Sequence, residues 1–242
     1  SIEEMEQKYR NGGLTPTFGK PKISYVEGLC VGGGSEINSG LYHRIPDEIL
    51  EQWTSDFQVN NLNTKQLDKY YKVIETDLSV STLPYDPPLP SIKLYEGAMK
   101  LGWESVEVPR WFDYSNDLKG IKQSMTETYI PRFEQFGGNL LPNTRVLIIK
   151  RRKNKWCLFI ENVKSGKKDK INADLLFICC GAIQTPALLR RSGIRYNIGN
   201  SLKVHLTIKV VAKFNEKVNS IDVGVPVHQV KEFSPRYSFG GS

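Results

Sequence analysis

The sequence predicts a mixed α/β (α+β) fold, and three observations support this class. Residues 174–180, within the most apolar run of the chain, have the composition of a strand buried on both faces, and they lead into a glycine turn and a helical pattern. Residues 143–150 and 156–163 predict the two strands of a hairpin. Apolar residues spaced by three and four between residues 64 and 80 predict an amphipathic helix.

The composition argues against two broad classes of protein. Of the 242 residues, 39% are hydrophobic and 10% are aromatic, which is enough for a core and argues against wholesale disorder. No apolar run approaches the roughly 20 residues that span a bilayer as a helix. The sequence starts at Ser1 without a methionine or a signal-peptide pattern, and its first residues resemble the middle of a domain. We therefore expect an internal fragment of a cytoplasmic protein.

The four cysteines predict neither a disulfide nor a metal site. They are Cys30, Cys157, Cys179 and Cys180, and no two have the CxxC spacing. Cys179 and Cys180 are neighbours on the predicted strand, so their side chains would point to opposite faces. Free, buried thiols in a reducing compartment are the favoured interpretation.

The positive net charge of +7 is concentrated in one part of the chain. Nine lysines and arginines, against two acids, lie between residues 150 and 170, so the rest of the chain is neutral. These residues fall on the predicted hairpin and on a turn at 164–170. A solvated hairpin is the favoured explanation over a phosphate-binding patch, and we expect no nucleic-acid partner.

The remaining elements are mainly helices. Predicted helices cover residues 1–10, 46–53, 64–80, a stretch that Ser91 caps and Gly102 ends, and 117–136 with a kink near Pro131. Residues 83–90 contain four prolines and predict a stiff extended linker. Residues 204–213 predict a strand-like run. The stretch 54–110 is therefore predicted to be an inserted helical lobe.

Residues 28–44 form the first candidate for a ligand site. Three consecutive glycines, Gly32, Gly33 and Gly34, let backbone N–H groups approach an anion closely, because no Cβ stands in the way. Ser35 adds a hydroxyl donor and Asn38 adds an amide. This stretch alone predicts an anion cradle and a flexible glycine turn equally well.

Residues 181–194 form the second candidate. Thr185 is predicted to cap a helix with Pro186 at its first position, and Gly193 is predicted to end it. A strand, a glycine turn and a capped helix present backbone N–H groups at the carboxyl end of the strand, where α/β folds bind ligands. A generic strand-to-helix connection is the alternative.

These two stretches resemble motifs of one family. Residues 181–194 are similar to the second signature of the glucose–methanol–choline (GMC) family of flavin-dependent oxidoreductases: a glycine, a small residue, Thr-Pro, two aliphatic residues and Ser-Gly-Ile. Residues 32–38 are similar to that family's first loop, Gly-Gly-Gly-Ser-x-x-Asn, with Tyr42 and Arg44 following. The motifs occur in the family's order and about 150 residues apart. The resemblance implies a partial FAD-binding domain of the GMC type, with a helical insertion and the start of a substrate-binding sheet.

The resemblance also implies a set of cofactor-binding residues. In the first motif, the pyrophosphate and the isoalloxazine would be lined by Gly33, Gly34, Ser35 and Asn38. In the strand at 144–150, Val146 would contact the adenine end through its backbone. In the second motif, Gly181 and Ala182 would lie near the ADP portion.

The same resemblance divides the chain into four parts. Residues 1–53 and 116–199 would belong to the FAD-binding domain, 54–115 to a substrate or cap lobe, and 200–242 to the start of a substrate-binding domain. Leu202 to His205 is similar to a degenerate form of the family's Asn-Leu-x-x-His segment.

Three departures from the family pattern limit the prediction. The dinucleotide fingerprint GxGxxG is absent, and the segment with the family's catalytic histidine lies beyond the matched residues. Ile37 stands where some members carry a histidine linked to FAD, so we expect non-covalent FAD. For His43, His205 and His228 a structural role is favoured over catalysis. We therefore assign neither a catalytic residue nor a metal ligand.

Two functions follow as hypotheses. The first is an FAD-dependent oxidoreductase that acts on the CH–OH group of a small alcohol or sugar-like substrate, with hydride transfer to flavin N5. The second is a non-catalytic nucleotide-binding or interaction module that uses the glycine loop and the basic hairpin. The sequence predicts neither the identity of the substrate nor the oligomeric state.

Overall fold

The computed structural model describes residues 2–205, 207–219 and 227–240. Its helices are α1 (Ile2–Lys8), α2 (Gly34–Ile37), α3 (Asp47–Phe57), α4 (Thr64–Asp77), α5 (Leu89–Lys100), α6 (Tyr129–Gln135) and α7 (Gly181–Arg191). Its strands are β1 (Thr15–Pro16), β2 (Ser24–Tyr25), β3 (Val80–Ser81), β4 (Ser105–Glu107), β5 (Arg110–Asp113), β6 (Ile121–Lys122), β7 (Thr144–Arg152), β8 (Lys155–Asn162), β9 (Lys168–Ala173), β10 (His228–Val230) and β11 (Phe239–Gly240). The predicted mixed α/β class is confirmed.

The chain divides into two compact units. The first contains residues 1–138 and 213–242, and the second contains residues 139–212. Described strands of the first unit form small antiparallel sheets in the orders β1-β2, β3-β5-β6 and β11-β10-β4. The second unit is built on the antiparallel sheet β7-β8-β9. The four-part division implied by the resemblance stays a prediction.

Local sequence determines the helices near the middle of the first unit. A capping box starts α4: Asn63 Oδ1 accepts a hydrogen bond from the Gln66 N–H at 2.9 Å, and Gln66 Oε1 accepts one from the Asn63 N–H at 3.3 Å. Helix α3 follows Pro46 and extends four residues past the predicted end, to Phe57. The helices predicted near residues 1–10, 46–53 and 64–80 are therefore confirmed with shifted ends, while the predicted cap Ser1 lies outside the described residues.

Ser91 does not cap a helix as predicted. Pro88 occupies the cap position of α5, and Ser91 lies inside the first turn with none of its surface exposed (0%). Its Oγ accepts hydrogen bonds from the N–H groups of Val227, at 3.0 Å, and His228, at 2.8 Å, and lies 3.1 Å from His228 Nδ1. The hydroxyl thus joins α5 to β10. Because β10 is distant in sequence, the residues around Ser91 could not indicate this contact.

The helix predicted over residues 117–136 is wrong for its first half. Asp117 forms a turn instead, in which its Oδ1 accepts from the Lys119 N–H at 2.9 Å and its carbonyl from the Gly120 N–H at 2.8 Å. Strand β6 then pairs with β5. Helix α6 begins only at Tyr129, which places Pro131 in its first turn, where a missing N–H breaks no intrahelical bond.

The second unit confirms the predicted hairpin and adds a strand. Strands β7 and β8 pair in antiparallel register with an irregularity between Val146 and Ile148. The basic stretch assigned to a turn at 164–170 instead leads into β9, which pairs with β8. Helix α7 is tied to β7 through Ser192, whose Oγ accepts from the Ile149 N–H at 2.9 Å and donates to Leu188 O at 2.8 Å.

The predicted buried strand at 174–180 is wrong. These residues form no strand, and Leu175 and Phe177 are 78% and 84% exposed. A strand requires a neighbour that accepts its hydrogen bonds, and among the described residues no strand pairs with this segment. Cys179 and Cys180 are consequently free but exposed, whereas Cys157 is free and buried as predicted.

Two further findings concern single segments. The described part of the predicted strand-like run at 204–213 forms no strand, and Leu206 lies outside the described residues. Among the helices that the structure describes, none combines the length and the apolar character needed to cross a bilayer.

We expect Ser91→Ala to destabilise the fold by about 2 kcal/mol or more, because two buried N–H donors would lose their acceptor. The free energy of unfolding in a chemical denaturant measures the effect. The matched control is Ser55→Ala, since Ser55 is exposed and we expect a change within about 0.5 kcal/mol. Equal unfolding midpoints for the two variants would contradict the assigned role of Ser91.

Candidate functional site

The glycine loop, residues 28–38, turns sharply at its three consecutive glycines. The Gly33 N–H donates to Cys30 O at 3.0 Å, and Gly34 opens the one-turn helix α2. Gly32 has φ +84°, and Gly33 combines φ 57° with ψ −131°, a conformation that is essentially restricted to glycine. The backbone path therefore requires glycine at both positions.

The glycines of this loop differ in what surrounds them. A Cβ on Gly28 would lie 2.5 Å from Gly33 O, and a Cβ on Gly32 would collide with the Glu36 carboxylate. At these two positions, other atoms of the chain occupy the space that a Cβ would need. A Cβ on Gly33 or Gly34 would meet nothing within 4 Å. The loop therefore has an open face at Gly33 and Gly34, which leaves space for a ligand.

The two polar residues predicted for cofactor binding take part in bonds within the first unit. Ser35 Oγ donates to Gly32 O at 2.7 Å and accepts from the Met125 N–H at 3.1 Å. Asn38 Oδ1 accepts from the Gly40 N–H at 3.1 Å. Both side chains thus hold the loop in its turn.

Sequence reasoning missed Glu36 and the segment 122–126. The Glu36 carboxylate accepts hydrogen bonds from Ser124 and Thr126, and Lys122 Nζ donates to the carbonyls of Glu36 and Asn38. The hydroxyl-rich sequence of 124–128 was a usable signal, but the helix predicted over it concealed that signal. Burial is the largest cause of a lowered pKa for Lys122.

The exit of the loop is anchored to helix α4 by an ionic network. Arg44 contacts both carboxylate oxygens of Glu75 at 2.6 Å and Asp68 Oδ1 at 3.1 Å. Tyr42 donates its O–H to Glu75 at 2.9 Å, and burial together with this bond raises the pKa of Tyr42 to about 12. The hydrogen bond from Arg44 is the main cause of a lowered pKa for Glu75. The motif residues after the loop therefore have structural partners.

A cavity of about 680 Å³ lies beside this network. Glu75 lines it together with side chains from β3, β5 and the proline-rich segment, among them Val80, Leu83, Phe112 and Tyr114. Lys72, Asp113 and several Ser and Thr hydroxyls also line it, so the cavity has a mixed polar and apolar surface within the predicted substrate lobe.

The predicted residues of the second motif lie in the second unit. Gly181 has φ +82°, a Cβ on it would meet nothing within 4 Å, and both Gly181 and Ala182 are exposed at the start of α7. The prediction that Thr185 caps the helix with Pro186 first is wrong, because α7 begins at Gly181, five residues before Pro186. Thr185 nevertheless caps through its side chain, since its Oγ1 accepts from the Cys180 N–H at 3.2 Å.

For the other two residues of this unit, the contact of Val146 with the cofactor stays a prediction, whereas the role of Gly193 as a helix terminator is confirmed. Val146 lies half-buried in β7, opposite Ile160 and beside the strand irregularity. Gly193 follows α7 with φ +90° and ends it, as predicted. The structure thus groups the seven predicted cofactor residues in two sets: Gly33, Gly34, Ser35 and Asn38 in the first unit, and Val146, Gly181 and Ala182 in the second.

The three histidines differ in their surroundings. No three potential ligands among His, Cys, Asp and Glu cluster in the part of the chain that the structure describes. His228 contacts Ser91, and its ring centroid lies 5.0 Å from that of Tyr95. These contacts are typical of a histidine with a structural role. His43 and His205 are exposed.

Comparisons with known proteins agree on one family. A family model described as GMC oxidoreductase matches residues 5–207. An uncharacterized GMC-type oxidoreductase of Sinorhizobium fredii is 37% identical, over 99% of this chain and 50% of its own length. A long-chain-alcohol oxidase of Arabidopsis thaliana is 24% identical, over 89% of this chain and 31% of its own. An oxygen-dependent choline dehydrogenase of Staphylococcus epidermidis is 23% identical, over 74% of this chain and 35% of its own. The chain spans half of the first relative and about a third of the other two.

Gly40, at the end of the loop, provides a test of its packing. Gly40 has φ +70°, and a Cβ there would lie 2.5 Å from Phe112 Cε2. We expect Gly40→Ala to lower the free energy of unfolding by about 2 kcal/mol or more. The control is Gly97→Ala inside α5, where a Cβ meets nothing within 4 Å. Helix propensity predicts a gain of about 0.5–1 kcal/mol for that variant. The same sign of change in both variants, measured by denaturant unfolding, would contradict this packing.

Proposed function

This chain belongs to the GMC oxidoreductase family, and from that premise we propose that it forms part of an FAD-dependent oxidoreductase acting on the CH–OH group of an alcohol. The observation that carries the proposal is the open face at Gly33 and Gly34. At Gly28 and Gly32, by contrast, other atoms of the chain occupy the space that a Cβ would need. A surface that lacks side chains and presents a sharp glycine turn suits close approach of a dinucleotide.

The residues present fit FAD as the cofactor. Methyl groups on Gly33, Gly34 and Gly181 would each occupy empty space, which is the room a bound group needs. We propose that Gly33, Gly34, Ser35 and Asn38 hold the pyrophosphate and isoalloxazine portions. Val146 would contact the adenine end through its backbone, and Gly181 and Ala182 the ADP portion.

FAD, when bound, would supply a two-electron acceptor for the hydride of the carbinol carbon, and a general base would take the hydroxyl proton, so that the alcohol becomes a carbonyl compound. The role of this chain's residues in that reaction is to bind and orient. The sharp turn at Gly32 and Gly33 sets the direction of the backbone, and the Arg44–Glu75 pair fixes the segment that follows it. We assign no proton acceptor among the three histidines.

A small-molecule alcohol is the proposed substrate. Two of the relatives, a long-chain-alcohol oxidase and a choline dehydrogenase, carry names that denote enzymes acting on alcohols. The cavity beside Glu75 offers both apolar and polar side chains, as a molecule with an alkyl part and a hydroxyl group would require. The alternative is a non-catalytic nucleotide-binding or interaction module, and the following experiment separates the two.

We expect the full-length protein to purify with a flavin absorbance band that alcohols bleach under anaerobic conditions. The test panel contains primary alcohols of increasing chain length, choline and a sugar. Because Ile37 offers no nucleophile for a covalent link, precipitation with acid should leave the flavin in the supernatant. A protein that folds but neither contains nor binds flavin would sink the proposal, and yellow precipitate would contradict non-covalent binding.

Gly34→Ala tests the open face directly. Gly34 has no positive φ, and its methyl group would meet nothing in the chain, so we expect unfolding of the FAD-free protein to be unchanged. The dissociation constant of FAD, measured by quenching of flavin fluorescence, should rise about tenfold or more because the methyl group occupies the ligand's space. Gly97→Ala is the control for binding. Wild-type affinity in Gly34→Ala would show that FAD does not approach this face.

A further inference from the structure

The Glu36 carboxylate is surrounded by hydroxyl groups from a distant segment. Its Oε1 accepts from Thr126 Oγ1 at 3.0 Å and from the Thr126 N–H at 3.4 Å, and its Oε2 accepts from Ser124 Oγ at 3.2 Å. Ser124 is only 3% exposed. Since about 90 residues separate these partners in sequence, the contacts are tertiary and not a property of the loop itself.

The same segment holds the backbone on both sides of Glu36. Lys122 Nζ donates to Glu36 O at 2.8 Å and to Asn38 O at 2.9 Å, which satisfies carbonyls at the end of α2. The Met125 N–H donates to Ser35 Oγ at 3.1 Å. We call the contacts of Lys122, Ser124, Met125 and Thr126 with residues 35–38 the loop latch.

The latch also explains why Gly32 must be glycine. The Glu36 side chain folds back over the turn, and its Oε1 takes the space that a Cβ on Gly32 would need. The carboxylate therefore packs against one glycine of the loop, while the Cα atoms of Gly33 and Gly34 face open space. The latch fixes the shape of the loop without filling its open face.

We propose that Glu36 is a positioning residue, which through the loop latch holds the glycine loop in the conformation that binds FAD. The inference rests on the proposed function, because it concerns the same open face. Its physical basis is preorganisation: a loop that is already fixed loses less conformational entropy when the cofactor binds. Lys122 adds a cation to the latch, since its Nζ bonds the backbone carbonyls of Glu36 and Asn38.

The test compares Glu36→Ala with Glu36→Gln in the full-length protein. Glu36→Ala removes the latch acceptor, and Ser124 and Thr126 can still satisfy each other, since their hydroxyl oxygens lie 3.0 Å apart. We expect the dissociation constant of FAD to rise about tenfold or more in Glu36→Ala. In Glu36→Gln it should stay within about threefold, because the amide oxygen can still accept from Thr126. Glu6→Gln on the exposed surface of α1 is the control.

Hydrogen exchange of the FAD-free protein provides the second measurement. The amides of Gly33, Ser35, Glu36 and Asn38 are hydrogen-bonded within the loop, so we expect them to exchange faster in Glu36→Ala while the amides of β8 are unchanged. Thr126→Val, which loses one hydroxyl donor without altering the loop sequence, should shift both measurements in the same direction. It also serves if Glu36→Ala fails to fold.

Faster exchange with unchanged FAD affinity, or weaker affinity with unchanged exchange, would overturn the positioning role. Unchanged values in both measurements would overturn it as well. A folded wild-type protein that binds no FAD would instead overturn the proposed function and with it the link to the cofactor. In that case the exchange measurement still decides whether Glu36 fixes the loop.

Discussion

The turn at Gly32 and Gly33 is the constraint on which the first unit depends. The dihedral angles of Gly33 are essentially restricted to glycine and Gly32 has a positive φ, and beyond this turn the Glu36 carboxylate reaches Ser124 and Thr126. A loop without such partners would sample many conformations, because each ordered residue costs conformational entropy. Here hydrogen bonds to the segment 122–126 offset that entropic cost. This segment is itself held in place, because β6 pairs with β5.

Strand β5 connects this loop to the rest of the first unit. The Trp111 N–H donates to Gly40 O at 2.9 Å, and the Tyr42 N–H donates to Pro109 O at 2.9 Å, so the exit of the loop runs beside the strand. Arg44 then binds Glu75 and Asp68 on α4. The candidate cofactor face and the cavity beside Glu75 thus lie along one framework within the first unit.

Sequence reasoning succeeded where structure follows from local signals. The hairpin of β7 and β8, the start of α4 after Asn63 and the glycine terminator of α7 each depend on neighbouring residues, and they were predictable. It failed where the structure of a segment depends on a partner that is distant in sequence. Ser91 bonds to β10, the segment after Asp117 pairs with β5, and residues 174–180 find no partner strand among the described residues. For the candidate site, the motif residues were predicted, but Glu36 and its partners were not. The hydroxyl groups that donate to the Glu36 carboxylate lie about 90 residues away in sequence, so the loop sequence does not indicate them.

We propose that FAD contacts both the glycine loop and the start of α7. Hydrogen exchange of the full-length protein with and without FAD tests it most directly, because it reports on each of the two stretches separately. We predict that FAD slows amide exchange both at residues 31–38 and at residues 181–184, while β8 and β9 keep their rates. Exchange that FAD leaves unchanged at either stretch, in a protein shown to be folded, would contradict this proposal.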